Sequence, residues 1–170
     1  MSTCPCAKPL PTYPDVEEWA PFLWRILHGL AEHSGEIVSP LFADDEKRQW
    51  TLFLNLLPNI LPCPFCREHA SDYLRAHPFV DVVKTMSVSD FRTFIIDYLY
   101  LFHEAVNARL GKPSFDKTLL TSVYRGISVR ADLDKLHPIQ TRAIQLSGLR
   151  ILDWKKWVGY LRMILSLYGL

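Results

Sequence analysis

The chain lacks any Gly-x-Gly-x-x-Gly, and its seven glycines are scattered through 170 residues. A Rossmann-type dinucleotide site, which needs such a turn between strand and helix, is excluded as far as sequence can exclude it. No uncharged apolar run of about 18 residues occurs, so no membrane span is expected. Met1 to Leu10 has no apolar stretch followed by small residues, so no secretory signal is expected. Basic clusters and acidic tails are absent and the formal net charge is +1, which gives no reason to expect nucleic acid as a partner. There is no internal repeat, no low-complexity linker and, upstream of residue 127, no sustained strand alternation. What is present is 49 % hydrophobic and 22 % charged, an ordinary globular composition with length enough for one core.

Cysteine is scarce, and its placement is informative. Four cysteines form two close pairs, Cys4-Pro5-Cys6 and Cys63-Pro64-Phe65-Cys66. A structural disulfide framework would spread its cysteines more widely. Close pairs point to metal binding or to redox chemistry.

Periodicity indicates an all-α chain. Trp19, Phe22, Leu23, Ile26, Leu27 and Leu30 lie on one stripe of a first helix starting at Asp15 and broken by Ser34-Gly35. A second helix from Asp44 or Asp45 turns Trp50, Phe53, Leu54 and Leu57 inward before Pro58. Pro64 suits the first turn of a third helix, which stops near His77-Pro78. Residues 81–88, short and β-branched, read as a connecting loop. A long fourth helix, capped by Ser87 or Ser89, carries Phe91, Phe94, Ile95, Tyr98, Leu99, Phe102 and Val106 and ends at Gly111, with Pro113 barring resumption. A short fifth helix spans about Asp116 to Arg125. The expected fold is a four-helix bundle with a short fifth helix. Three segments follow from this: an N-terminal stretch over 1–14, a bundle domain over 15–126 and a C-terminal helical extension over 127–170. In the extension, Ile151 to Leu167 is apolar and aromatic. It is expected to pack on the bundle or on a second subunit, with a membrane-surface helix as the minor alternative.

A Cys-x-x-Cys at a helix start places two sulfurs on one face, within reach of disulfide closure, where the helix N-terminus favours a thiolate. Three chemistries compete for it. A thioredoxin-like site requires a strand leading into the motif, whereas Gln49 to Leu57 is helical in period. Structural zinc could use Cys4, Cys6, Cys63, Cys66 and His69, though Cys-x-Cys is a cramped chelate. The third is a dithiol feeding electrons to a cofactor held by side chains between helices. Two pairs of such side chains recur at a spacing of four: Trp24 with His28, beside the core stripe, and His103 with Asn107, followed by the turn Leu110-Gly111-Lys112-Pro113.

At these residues the chain resembles the Erv/ALR family of FAD-dependent sulfhydryl oxidases. Trp24-Arg25-Ile26-Leu27-His28 is similar to the family's Trp-x-x-Leu-His, and Pro62-Cys63-Pro64-Phe65-Cys66 to its Tyr-Pro-Cys-x-x-Cys. Residues 103–116, from His103 through Asn107, Leu110-Gly111-Lys112-Pro113 and Phe115, are similar to its His-Asn-x-Val-Asn-x-x-Leu-Gly-Lys-Pro-x-Phe-x. The resemblance spans about residues 15 to 126. Departures are Glu104 for the asparagine after the histidine, Leu61 for tyrosine, His33-Ser34 for an aromatic pair, Lys117 for a disulfide cysteine and Tyr124 for tryptophan. Such drift at minimal length suits a viral member.

The resemblance implies FAD bound by Trp24, His28, His103, Val106, Asn107, Lys112, Phe115 and Tyr124, with Arg125 as a further phosphate contact. It implies Cys63 and Cys66 as the catalytic pair. A thiol-containing protein substrate attacks Cys63, Cys66 faces the cofactor, and molecular oxygen takes the electrons and becomes hydrogen peroxide. It also implies a homodimer paired through the first two helices. Family members often carry a second dithiol, and Cys4 with Cys6 is the candidate shuttle. The expected compartment is host cytoplasm or virion for a viral member and the mitochondrial intermembrane space for a cellular one. The reading from a different class is an inert helical scaffold that keeps the fold without the chemistry.

Overall fold

The computed structural model describes residues 12–170, so Cys4 and Cys6 lie outside the described residues. Eight α-helices, and no strands, occur among them: α1 (Val16–Ala31), α2 (Ala43–Leu56), α3 (Pro64–Ala76), α4 (Val80–Lys84), α5 (Val88–Arg109), α6 (Leu120–Tyr124), α7 (Val129–Gln145) and α8 (Ile151–Leu167). The four long helices of the expected bundle are α1, α2, α3 and α5. Their ends follow local chemistry. A capping box at Asp15 and Glu18 starts α1, the Ser87 hydroxyl accepts the Asp90 N–H at the start of α5, and Gly111 takes a left-handed φ of 64° just past its end.

Two elements differ from the sequence reading. The expected loop over residues 81–88 holds the last four residues of the five-residue α4. Valines at 80, 82 and 83 disfavour helix intrinsically, but Val83 and Phe79 are buried and the Asp81–Lys84 pair closes at 2.7 Å, so tertiary packing overrides propensity. The fifth helix is split: a 3₁₀ turn over Lys117–Leu119, capped by Asp116, leads into α6.

The C-terminal hairpin of α7 and α8 shares the bundle's core. Helix α7 packs along α1, and α8 along α2. Trp157, Leu161 and Ile164 are fully buried, and the Trp157 ring stacks on Phe53 at 4.6 Å between centroids. One apolar face of α8 is thus packed on the bundle, whereas Ile151, Leu152 and Met163 stay exposed. Polar ties fix the register. Arg25 reaches the buried Asp132 at 2.9 Å, Arg142 pairs with Glu18, and the Gln140 amide donates to the Ile60 carbonyl at 3.1 Å. Trp50 Nε1 donates to the Tyr168 hydroxyl at 2.7 Å, and that hydroxyl donates to Glu46 Oε1 at 2.6 Å.

Candidate active site

Helix α3 begins at Pro64 with Cys63 as its cap, and Cys63 and Cys66 are joined as a disulfide with Cα atoms 5.1 Å apart. Proline at the first helical position removes an N–H that would have had no partner, and the Cys66 N–H points at Cys63 Sγ at 3.2 Å. Both sulfurs are half-buried against the core, whereas Phe65 between them is 73 % exposed. Bonded to each other, these cysteines offer no thiolate pair to a metal. Among the described residues no cluster of three or more His, Cys, Asp or Glu side chains has metal-binding geometry.

A run of rings leads away from α3. Tyr73, two turns beyond Cys66, stacks on Phe102 of α5 at 4.5 Å, and Phe102 meets Trp24 of α1 edge-on at 5.4 Å. Trp24 lies flat on His103 at 3.9 Å with 4° between planes, and His28 stacks on Tyr124 at 4.6 Å. Phe115 lies 6.0 Å from Tyr124. His28 Nε2 and His103 Nδ1 are 3.0 Å apart, one ring donating to the other. Five of the residues singled out from sequence, Trp24, His28, His103, Phe115 and Tyr124, therefore form one aromatic cluster at the α1–α5–α6 junction. His28, beside the core stripe, is nonetheless only 3 % exposed, because α6 closes over that side of α1 through Tyr124.

Burial dominates the electrostatics. Desolvation pushes the His28 imidazole down to about 3, with His103 adding repulsion, and the His103 imidazole down to about 4. Both rings are neutral at pH 7 and supply hydrogen-bonding capacity rather than charge. Charge of both signs borders the cluster: Glu104 favours and Lys112 disfavours protonation of His103, and Arg25 acts on the Tyr124 hydroxyl, which burial raises.

The loop after α5 is held by a residue whose task was not legible. Glu104 accepts the Asn107 amide at 3.1 Å and the Phe115 N–H at 3.0 Å, and it also bonds the Ser114 hydroxyl. These bonds fold the Lys112-Pro113 turn back along α5. Lys117 reaches Asp97 at 2.7 Å and lies over the Tyr100 ring, so an ion pair and a cation–π contact fasten this loop to α5. Val106, one turn from His103, packs on the core. Arg125 donates to the Glu32 carbonyl at 2.8 Å and pairs with Glu36 at 2.7 Å, so its guanidinium is engaged within the fold.

The residue types suit an aromatic, anionic ligand: flat rings able to stack, a neutral imidazole pair, and Lys112 and Arg25 at the edge rather than the centre. Residues 21–125 match the sequence model described as the Erv1 / Alr family. The chain is similar to protein 347L of Invertebrate iridescent virus 6, at 30 % identity over 65 % of this chain and 96 % of that protein. It is similar to the FAD-linked sulfhydryl oxidase of African swine fever virus (isolate Pig/Kenya/KEN-50/1950), at 33 % identity over 64 % of this chain and 78 % of the other. It is also similar to the mitochondrial FAD-linked sulfhydryl oxidase ERV1 of Saccharomyces cerevisiae, at 29 % identity over 61 % and 48 % respectively. No solved structure matches the chain.

Proposed function

The chain belongs to the Erv1/Alr family, and on that premise we propose that it is an FAD-dependent thiol oxidase that makes disulfide bonds in protein substrates. The observation that carries this reading is a helix-capping disulfide, Cys63–Cys66, on the same helix whose Tyr73, two turns further on, stacks on Phe102 and through it meets the Trp24/His28/His103/Tyr124 cluster. Bound FAD would supply a two-electron acceptor whose reduced form dioxygen reoxidises, giving hydrogen peroxide.

The protein's part is positional. A substrate thiolate attacks Cys63 Sγ, the Cys63–Cys66 bond breaks, and Cys66 leaves as a thiolate within the first turn of α3, where backbone N–H groups favour negative charge. A second substrate thiol attacks the mixed disulfide and frees Cys63, leaving the substrate oxidised and the pair reduced. Trp24, His103 and Tyr124 would hold the flavin and adenine rings by stacking. His28, Val106, Asn107 and Phe115 would wall the site, while Lys112 would meet the phosphates; Arg125 would join it only by leaving Glu36 and the Glu32 carbonyl. The neutral His28–His103 pair keeps the wall free of a charge that would shift with physiological pH.

Cys4 and Cys6 fit a shuttle by reach. Tyr13 Oη donates to the Pro62 carbonyl at 2.7 Å, so the chain enters the described fold beside the active disulfide. Seven steps separate Cys6 from Tyr13, at most about 25 Å of chain, enough to meet Cys63 of the same molecule. The homodimer is carried forward with one constraint. Helices α1 and α2 each already bury a face against α7 and α8, so a second copy would use the faces left over. Host cytoplasm or virion for a viral member, and the mitochondrial intermembrane space for a cellular one, are both compatible with viral relatives and a mitochondrial yeast relative.

The pure protein is expected to be yellow, to release FAD on denaturation and to consume oxygen with dithiothreitol. Cys66→Ser should lower turnover by at least about a thousandfold with FAD still bound. A folded, colourless, oxygen-inert protein would overturn the reading.

A further inference from the structure

The hairpin outside the family match is tied through Arg67 to the segment that leads into the active disulfide. Arg67, on the first turn of α3, donates through Nε to the Leu61 carbonyl at 2.6 Å and through Nη2 to the Pro62 carbonyl at 3.4 Å and to the carbonyl of Gly148, in the α7–α8 turn. Those first two carbonyls belong to the two peptide units that lead into Cys63. The Tyr13 hydroxyl donates to the same Pro62 carbonyl, and its ring lies on Gly148 so closely that a Cβ there would fall onto its Oη and Cε2 atoms. One guanidinium and one phenol thus hold the Cys63 approach against a turn 81 residues away from Arg67 in sequence.

The order of residues in that turn is telling. Helix α7 ends with the Ser147 N–H on the Ile144 carbonyl at 3.0 Å and the Gly148 N–H on the Ala143 carbonyl at 2.9 Å. This capping pattern ordinarily puts glycine at the left-handed position, the first of the two. Here the left-handed residue is Ser147, with φ 60°, and the glycine follows it at a position whose backbone does not require one. Local folding alone would favour glycine at 147. The close approach of Tyr13 is what requires it at 148.

We propose that the α7–α8 turn is a positioning element for the active disulfide, acting through Arg67 and Tyr13 on the Leu61-Pro62 segment that presents Cys63. Resting on the thiol-oxidase reading, this adds to it a role for a region that the family match does not cover. Arg67 acts in two ways. Its fork fixes the two carbonyls, and its charge, four residues along the helix from Cys63 and on the same face, favours the Cys63 thiolate in the reduced pair.

The test uses the full chain with FAD bound, reduced and then alkylated over a range of pH, with the Cys63 peptide followed by mass. Arg67→Ala should slow Cys63 alkylation about tenfold at pH 7 by moving its midpoint upward, one pH unit being tenfold in thiolate. Arg67→Lys, which keeps the charge but loses the fork, should recover the midpoint while kcat/KM toward a reduced protein stays several-fold low. Gly148→Ala, which leaves every side chain of α3 and of the cofactor cluster unchanged, should shift the midpoint in the same direction as Arg67→Ala by a smaller amount. A turn that only packs would not move it. Should Arg67→Ala fail to fold, Gly148→Ala decides alone, and a folded Gly148→Ala protein with the wild-type Cys63 profile overturns the proposal. Alkylation needs no oxygen turnover, so a wild-type chain that oxidises no thiols would sink the oxidase reading while this profile could still be read.

Discussion

The ring cluster at the α1–α5–α6 junction and the α7–α8 hairpin treat burial in opposite ways. The cluster sinks two histidines whose imidazoles burial drives down to about 3 and about 4. Removing polar rings from water is unfavourable unless their hydrogen bonds are replaced, and the His28–His103 bond replaces only part of them. The hairpin buries Trp157, Leu161 and Ile164 and places Asp132 and Gln140 on partners across the interface. One region accepts a folding penalty for chemistry. The other, with no motif of its own, supplies the packing that offsets it.

If that division holds, the larger stability loss should come from the region without the motif. Trp157→Ala deletes a fully buried ring stacked on Phe53 and Trp154, and should destabilise by about 3–5 kcal/mol. For a chain of this size that lowers the melting temperature by about 10 °C, readable by circular dichroism. Trp24→Ala, at a half-buried ring in the cluster, should cost less stability and more FAD affinity. A reversed ranking would mean that the hairpin is dispensable to the core.

The cluster should reveal itself through pH. A histidine whose folded pKa is depressed binds its proton more readily in the unfolded chain. Its contribution to stability is complete above about 6.5 and is lost as pH falls toward the folded values, about 3 for His28 and about 4 for His103. Between pH 6.5 and 5 the loss is at most about 2 kcal/mol for each ring. Denaturant midpoints across that range should fall in the wild type and fall less steeply in His28→Gln, which cannot take a proton. Parallel slopes would place the acid sensitivity elsewhere. Glu18, Glu36 and Glu104, whose carboxyls are held low by hydrogen bonds and charge, add acid loss of the same sign at lower pH, whereas the buried Glu46, pushed up, opposes it.

What could be read in the sequence divides along sequence distance. Trp24 with His28, His103 with Asn107 and Cys63 with Cys66 are pairs three or four apart, which helical geometry places side by side. Gly111 announces the end of α5, and the apolar run from Ile151 to Leu167 marks α8 to the residue. Helix α4 was not legible, because its valines become helical only when Val83 is buried. Nor was the burial of His28, which depends on Tyr124 nearly a hundred positions away. Glu104 was visible as a departure but not as the acceptor that ties Asn107 and Ser114 to the Phe115 backbone. Arg67, Tyr13 and Gly148 carry no local signal, since their contacts join three distant parts of the chain.

The smallest expected effect sharpens the contrast from within the hairpin. Gly159 sits midway along α8, exposed, with ordinary helical backbone, and a Cβ added there would meet nothing within 4 Å. It lines a groove of about 690 Å³ between α7 and α8, together with Trp154, Val158 and Arg162. Nothing among the described residues requires glycine at this position, which sets it apart from Gly148, where the Tyr13 ring does. Mid-helix glycine is about 0.5–1 kcal/mol less favourable than alanine, largely because the unfolded chain has more conformations to lose. Gly159→Ala should therefore raise stability by about that amount, a few degrees in melting temperature, and leave FAD content and dithiothreitol oxidation unchanged. The paired substitution Gly148→Ala should lower stability, because the new methyl must displace Tyr13. Two glycines of one hairpin would then answer the same substitution with opposite signs, and a stabilised Gly148→Ala would mean that the Tyr13 ring yields without loss.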